Sequence, residues 1–165
     1  MATRQILILK LGNRTPPGQQ TKNIIMTQEE KQLLLVDLCG RLPYGVKVQA
    51  YSYEHDVETI ETLYGIDSDG YISTLECGTL NHISKPYLFP MSSMTEKQKR
   101  ELEDMGWSFD DSVINNIVEY LGKHRQFVTH FDCFALMGWL NAHHFDYRGL
   151  IPIGLAIDAT GLNIY

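Results

Sequence analysis

The chain has 165 residues, 44% hydrophobic and 21% charged, with a formal net charge of −6. That composition suits one folded domain with its own core, and excludes both a disordered chain and a disulfide-stapled miniprotein. The longest apolar runs, Leu33-Leu34-Leu35-Val36 and Phe134–Leu140, fall far short of the roughly 20 residues a membrane span needs.

The N-terminus carries no sustained apolar signal segment, so the expected location is the cytoplasm. Charge is unevenly spread. Residues 1–25 hold Arg4, Lys10, Arg14 and Lys22 and no acid, while the remainder holds 10 basic and 20 acidic side chains. An acidic body repels phosphate backbones, so nucleic acid is disfavoured as a partner of the main domain. A nucleic-acid-associated regulator would have to use the basic N-terminus. Three cysteines, Cys39, Cys77 and Cys133, form no CxxC pair, and are expected as reduced, mostly buried thiols.

In chain order, Gln5–Leu11 suits a short strand, and Gly12–Gln20, with its paired prolines, reads as a linker. Residues 1–25 are therefore expected as an extension, with Met26 a candidate initiator. Thr27-Gln28-Glu29-Glu30 is a capping box. The set Leu34, Leu35, Leu38, Cys39 and Leu42 then recurs at helical spacing, and Pro43 ends the run. A helix is predicted from Gln28 to about Arg41.

Val46–Tyr51 alternates as a half-buried strand does. Val57–Ile66 is rich in β-branched residues, Asp67-Ser68-Asp69-Gly70 is a turn, and Tyr71–Leu75 is the returning strand. Asn81–Ser84 is a weaker strand signal, and Pro86 and Pro90 bracket Tyr87-Leu88-Phe89. A small antiparallel sheet or partly open barrel follows. Thr95-Glu96-Lys97-Gln98 is a second capping box, opening a charged helix over Glu96–Met105 that Gly106 stops. A third helix presents Val113, Ile114, Ile117, Val118 and Leu121. A fourth, about Phe131–Ala142, is apolar nearly all round and is expected to be central and buried. The tail Leu150–Tyr165 is expected to pack back as an irregular segment or short helix. The fold class is thus α+β in a single domain over 26–165: helix plus sheet over 26–91, a helical half over 92–165.

Four blocks have a distinctive wording: Met26–Lys31, Asp37–Val46, Lys85–Thr95 and Trp139–Leu150. On these, residues 26–165 resemble a family of small uncharacterised proteins of gut anaerobic bacteria, their phages and mobile elements. Members begin at the position of Met26. The resemblance implies a biological context; it brings no activity and no catalytic residues.

The densest chemistry lies in Trp139–Leu150. His130-Phe131-Asp132 recurs as His144-Phe145-Asp146, which suggests a metal site. One helix separating the pairs would put them about 21 Å apart, too far to share an ion with bonds of about 2 Å. A metal-dependent hydrolase or nuclease would instead draw on His143, His144 and Asp146, with a sheet residue such as His82. The structural alternative gives both histidines to the helix C-terminal dipole, and Asp146 to Arg148 or to capping the next turn. Cys133 with His130 is the minimum for a cysteine nucleophile, but its apolar setting suits a core thiol better. Glu54-His55-Asp56 is a polar loop, and Asp67–Gly70 lacks the distal glutamate of a calcium loop. Phosphate-cradling glycine motifs and GxSxG are absent.

Trp139, His143, Tyr147 and Arg148 are residue types that anchor protein interfaces. The leading expectation is an accessory or adaptor protein that binds an unidentified protein partner through these four, with no cofactor and no catalytic residue. The competing reading makes Trp139 and Tyr147 core residues and pairs Arg148 with an acid.

Overall fold

A computed structural model describes residues 26–52, 57–67, 71–74, 78–80, 84–107, 117 and 130–165. Helix α1 runs over Gln28–Arg41, and its capping box forms as read: Thr27 Oγ1 accepts from the Glu30 amide, and Glu30 accepts from the Thr27 amide at 2.7 Å. A 3-10 turn, Leu42–Tyr44, follows and ends at Gly45, whose φ of +66° needs a residue without Cβ. The buried stripe of α1 is Leu34, Asp37, Leu38 and Arg41. Cys39, expected inside, is exposed, because the core-facing stripe of α1 runs through 34, 37, 38 and 41; Cys133 is only half-buried.

Strands β1 (Lys47–Ser52), β2 (Val57–Ile66), β3 (Ile72–Thr74) and β4 (Gly78–Leu80) form an antiparallel meander in sequence order. The register pairs Lys47 with Thr62 and Ser52 with Val57, and a bulge falls between Leu63 and Gly65. The sheet is open: among the described residues β1 and β4 do not pair, so no barrel closes. Val48, Ala50, Leu63 and Ile72 pack with Leu34 and Leu38 of α1 and with Leu150, Leu155 and Ala156 of the tail in one core.

Residues 85–89 bind the parts together. Pro86 bridges Val48, and the Gln49 amide donates to the Lys85 carbonyl at 2.9 Å. Strand β5 (Tyr87–Leu88) pairs in parallel with β6 (Ile157–Asp158), and Phe89 bridges Phe145. The prolines at 86 and 90 restrict this run to a short strand, and it joins the sheet to the C-terminal segment from both edges.

Helix α2 (Glu96–Asp104) keeps the second capping box, between Thr95 and Gln98, and Gly106 stops it at φ +87°. Helix α3 covers His130–Ala142. It is not buried all round. Leu136, Leu140 and Asn141 are buried, but Phe134 is 77% exposed. Its near-uniform apolar composition misled the reading, because composition reports how apolar a helix is and not which of its side chains are covered. Met91, Met94, Leu102, Ile117, Leu136, Leu140, Phe145 and Tyr147 form a second core. Gly138 passes Tyr44 so closely that a Cβ there would lie 3.2 Å from the phenol oxygen. From His143 onward the chain is turns apart from β6, so the irregular form of the tail holds and its short-helix alternative does not.

Several expectations fall outside the described residues: the 1–25 extension, Glu54-His55-Asp56, Ser68–Gly70, Cys77, His82 and the third helix except for Ile117, which is buried. Among the described residues no helix is long and apolar enough to cross a membrane.

Candidate functional site

The segment from Trp139 to Leu150 leaves the end of α3 and reverses direction at His144, whose φ of +56° lies in the left-handed region. The turn is held by backbone bonds. The His144 amide donates to Asn141 at 3.1 Å and the Phe145 amide to Leu140 at 3.0 Å, while Phe89 exchanges bonds with His144 and Asp146. Asp146 is buried, and its two carboxylate oxygens accept from the Leu150 and Ile151 amides, each at 2.8 Å. It caps the next turn.

The two histidines diverge. His143 stacks on Trp139 at 4.0 Å between centroids, and its Nδ1 lies 2.9 Å from the Trp139 carbonyl oxygen, which can only accept. Its Nε2 stands 3.7 Å from a carboxylate oxygen of Glu101 on α2. His144 stacks on Tyr165 at 3.8 Å. Burial, and then the charges of Arg41, His143 and Lys47, lower the His144 pKa to about 4. It is therefore neutral at pH 7 and gives the helix dipole no cation, unlike the role expected for it. Tyr165 donates to the Tyr87 carbonyl at 2.7 Å, and burial raises its phenol to about 12. Among the described residues, no three His, Cys, Asp or Glu side chains are grouped to hold a metal ion.

The proposed interface residues separate into two groups. Trp139 and His143 belong to an aromatic stack that continues to Phe145, 5.9 Å from Trp139. Tyr147 and Arg148 belong to an ionic cluster under α1. Tyr147 is only 7% exposed and donates to Asn141 Oδ1 at 3.0 Å, so the four residues do not make one continuous open patch.

Sequence reasoning missed the centre of that cluster. Asp37 and Arg41 are fully buried and form a two-pronged pair: Nε donates to Oδ2 at 2.6 Å and Nη2 to Oδ1 at 3.1 Å. Nη2 also donates to the Phe145 carbonyl at 2.8 Å, which ties α1 to the 139–150 turn. Arg148 Nε lies 3.3 Å from Asp37 Oδ1 without the alignment of a hydrogen bond. The guanidinium carbons of Arg41 and Arg148 lie 5.3 and 5.1 Å from the Tyr147 ring centroid, within cation–π range. The signal was present: Leu34, Asp37, Leu38 and Arg41 share one stripe of α1, so an i,i+4 pair of opposite charge sat on the core face.

The electrostatics of this cluster are unusual for a core. Two guanidiniums share one carboxylate, and Arg41 Nη1 is buried with no hydrogen-bond partner. Such a pair contributes little net stability over an apolar equivalent, but removing one member leaves an uncompensated charge. Arg148 differs in being 29% exposed, and so reaches solvent from a rigid base.

No protein-family model, curated protein or solved structure matches this chain.

Proposed function

We propose that the protein is an accessory or adaptor module that acts by binding a protein partner through the surface of its 139–148 turn. The observation that carries this reading is the state of Arg148. It is a partly exposed guanidinium held on the Tyr147 ring and beside Asp37. Interface hot spots favour arginine and aromatic residues, and a side chain already held in place loses little entropy on binding. His143, one-third exposed and stacked on Trp139, lies on the same turn. Asp146, the carboxylate best placed by sequence for hydrolytic chemistry, gives both oxygens to backbone amides, which supports binding over catalysis. The resemblance of residues 26–165 to proteins of gut anaerobes, phages and mobile elements supports a bacterial, cytoplasmic setting for this role.

The test is site-specific crosslinking in cells that make the protein natively. A photoreactive phenylalanine replaces the exposed Ala142, and a control carries it in place of Lys97, exposed on α2. The expected result is one discrete adduct from position 142 and none from 97. Equal adducts from both positions, or none from either, would remove the reading.

A further inference from the structure

The ionic cluster has an imbalance that the fold does not correct. Asp37 supplies one negative charge to two guanidiniums. The next acid along the turn, Asp146, directs both oxygens to the amides of Leu150 and Ile151. Among the described residues, no hydrogen bond is made from the Nη atoms of Arg148, which is held by Asp37 on its Nε side and by the Tyr147 ring on one face. Arg41 Nη1 is likewise without a hydrogen-bond partner and is fully buried. A guanidinium fixed by its Nε side and by one face leaves its Nη fork free, and that fork matches the two oxygens of a carboxylate.

We propose that the Arg148 fork, seated on Tyr147 and Asp37, is a binding site for one carboxylate side chain, aspartate or glutamate, of the partner polypeptide. This rests on the protein-binding reading and adds the chemistry of the contact. Local charge complementarity favours it, because one carboxylate brings the cluster to two anions and two cations. A polyphosphate or nucleic-acid backbone is disfavoured, because residues 26–165 carry twice as many acidic as basic side chains and repel a polyanion. The seating also sets specificity. Arginine on an aromatic face offers a planar two-donor edge that lysine cannot reproduce.

The experiment is an NMR titration of the full chain at pH 7. It follows the Arg148 Nε–H signal and the Asn141 side-chain amide, which reports through its bond to the Tyr147 hydroxyl. The probes are N-acetyl-glutamate amide and its neutral twin N-acetyl-glutamine amide, then acetate, inorganic phosphate and chloride at matched ionic strength. The expected result is a saturable shift with the glutamate probe and with acetate. The glutamine probe should bind at least about tenfold more weakly, since hydrogen bonds to an ionised acceptor are stronger than those to a neutral amide. Arg148→Gln should abolish the Asn141 shift while leaving the rest of the spectrum in place, and Arg148→Lys should weaken binding. Equal responses to glutamate and glutamine probes, a chloride response matching acetate, tighter binding of phosphate than of acetate, or an unchanged titration in Arg148→Gln would each overturn the assignment. A discrete adduct at position 142 with no carboxylate response would leave the adaptor reading standing without this site. A carboxylate response with no adduct would do the reverse.

Discussion

The two ends of α1 are built on opposite principles. At its N-terminus Thr27 and Glu30 exchange bonds in solvent, a local device complete within four residues. At its C-terminus Asp37 and Arg41 lie at 0% exposure and depend on Phe145 and Arg148, more than a hundred residues away in sequence. The first end adds a small, independent increment of stability. The second is a buried charge pair whose two members, Asp37 and Arg41, stand or fall together, and it fixes the turn that presents Arg148. A rigid ionic base under a partly exposed arginine is a costly way to build a core and a sensible way to hold a binding group still.

The largest expected effect comes from cutting that pair. Asp37→Ala leaves two guanidiniums without the carboxylate they share, and should lower stability by about 3–5 kcal/mol in urea unfolding. A loss below about 1 kcal/mol would mean that the cluster is not an energetic unit. The double variant Asp37→Leu/Arg41→Met sharpens the point. It removes both buried charges together, leaving Arg148 its route to solvent, and should be more stable than Asp37→Ala alone. Simple additivity of the two single losses would contradict a coupled pair.

His144 offers a pH readout of the same region. Its folded pKa of about 4 lies below its ordinary value of 6.5, so the unfolded chain binds the extra proton between those values. The contribution is present in full above about pH 6.5 and is lost as pH falls toward 4, amounting to roughly 2–3 kcal/mol. His144→Asn, a residue that tolerates the left-handed turn, should flatten this slope whatever it does to stability at pH 7. An unchanged slope would assign the pH dependence to other groups. At the other end of α1, Thr27→Ala should cost about 1 kcal/mol at any pH between 5 and 8, measured by thermal unfolding. A loss as large as that of Asp37→Ala would erase the contrast between the two ends.

What was legible in the sequence follows the same division. Both capping boxes, the bounds of α1 and the span of β2 rest on patterns within a few residues, and the structure has them as read. Strand β4 and the parallel pairing of β5 with β6 were not visible, since two- and three-residue strands carry no periodicity and their partners are distant. The environment of helix α3 was misjudged because composition reports how apolar a helix is, not how many sides its neighbours cover. At the site, Trp139, His143, Tyr147 and Arg148 were picked out by residue type. Their division between an aromatic stack and an ionic cluster required Asp37 and Arg41, which only tertiary contact brings beneath them.

The most direct test of the account is crosslinking from position 142 in an Arg148→Gln background, with folding checked on the same sample. Arg148 is partly exposed and ion-paired on one side only, so its loss should change stability by less than about 1 kcal/mol. The account predicts a folded protein whose adduct is lost. A folded Arg148→Gln protein that still yields the full adduct would contradict it.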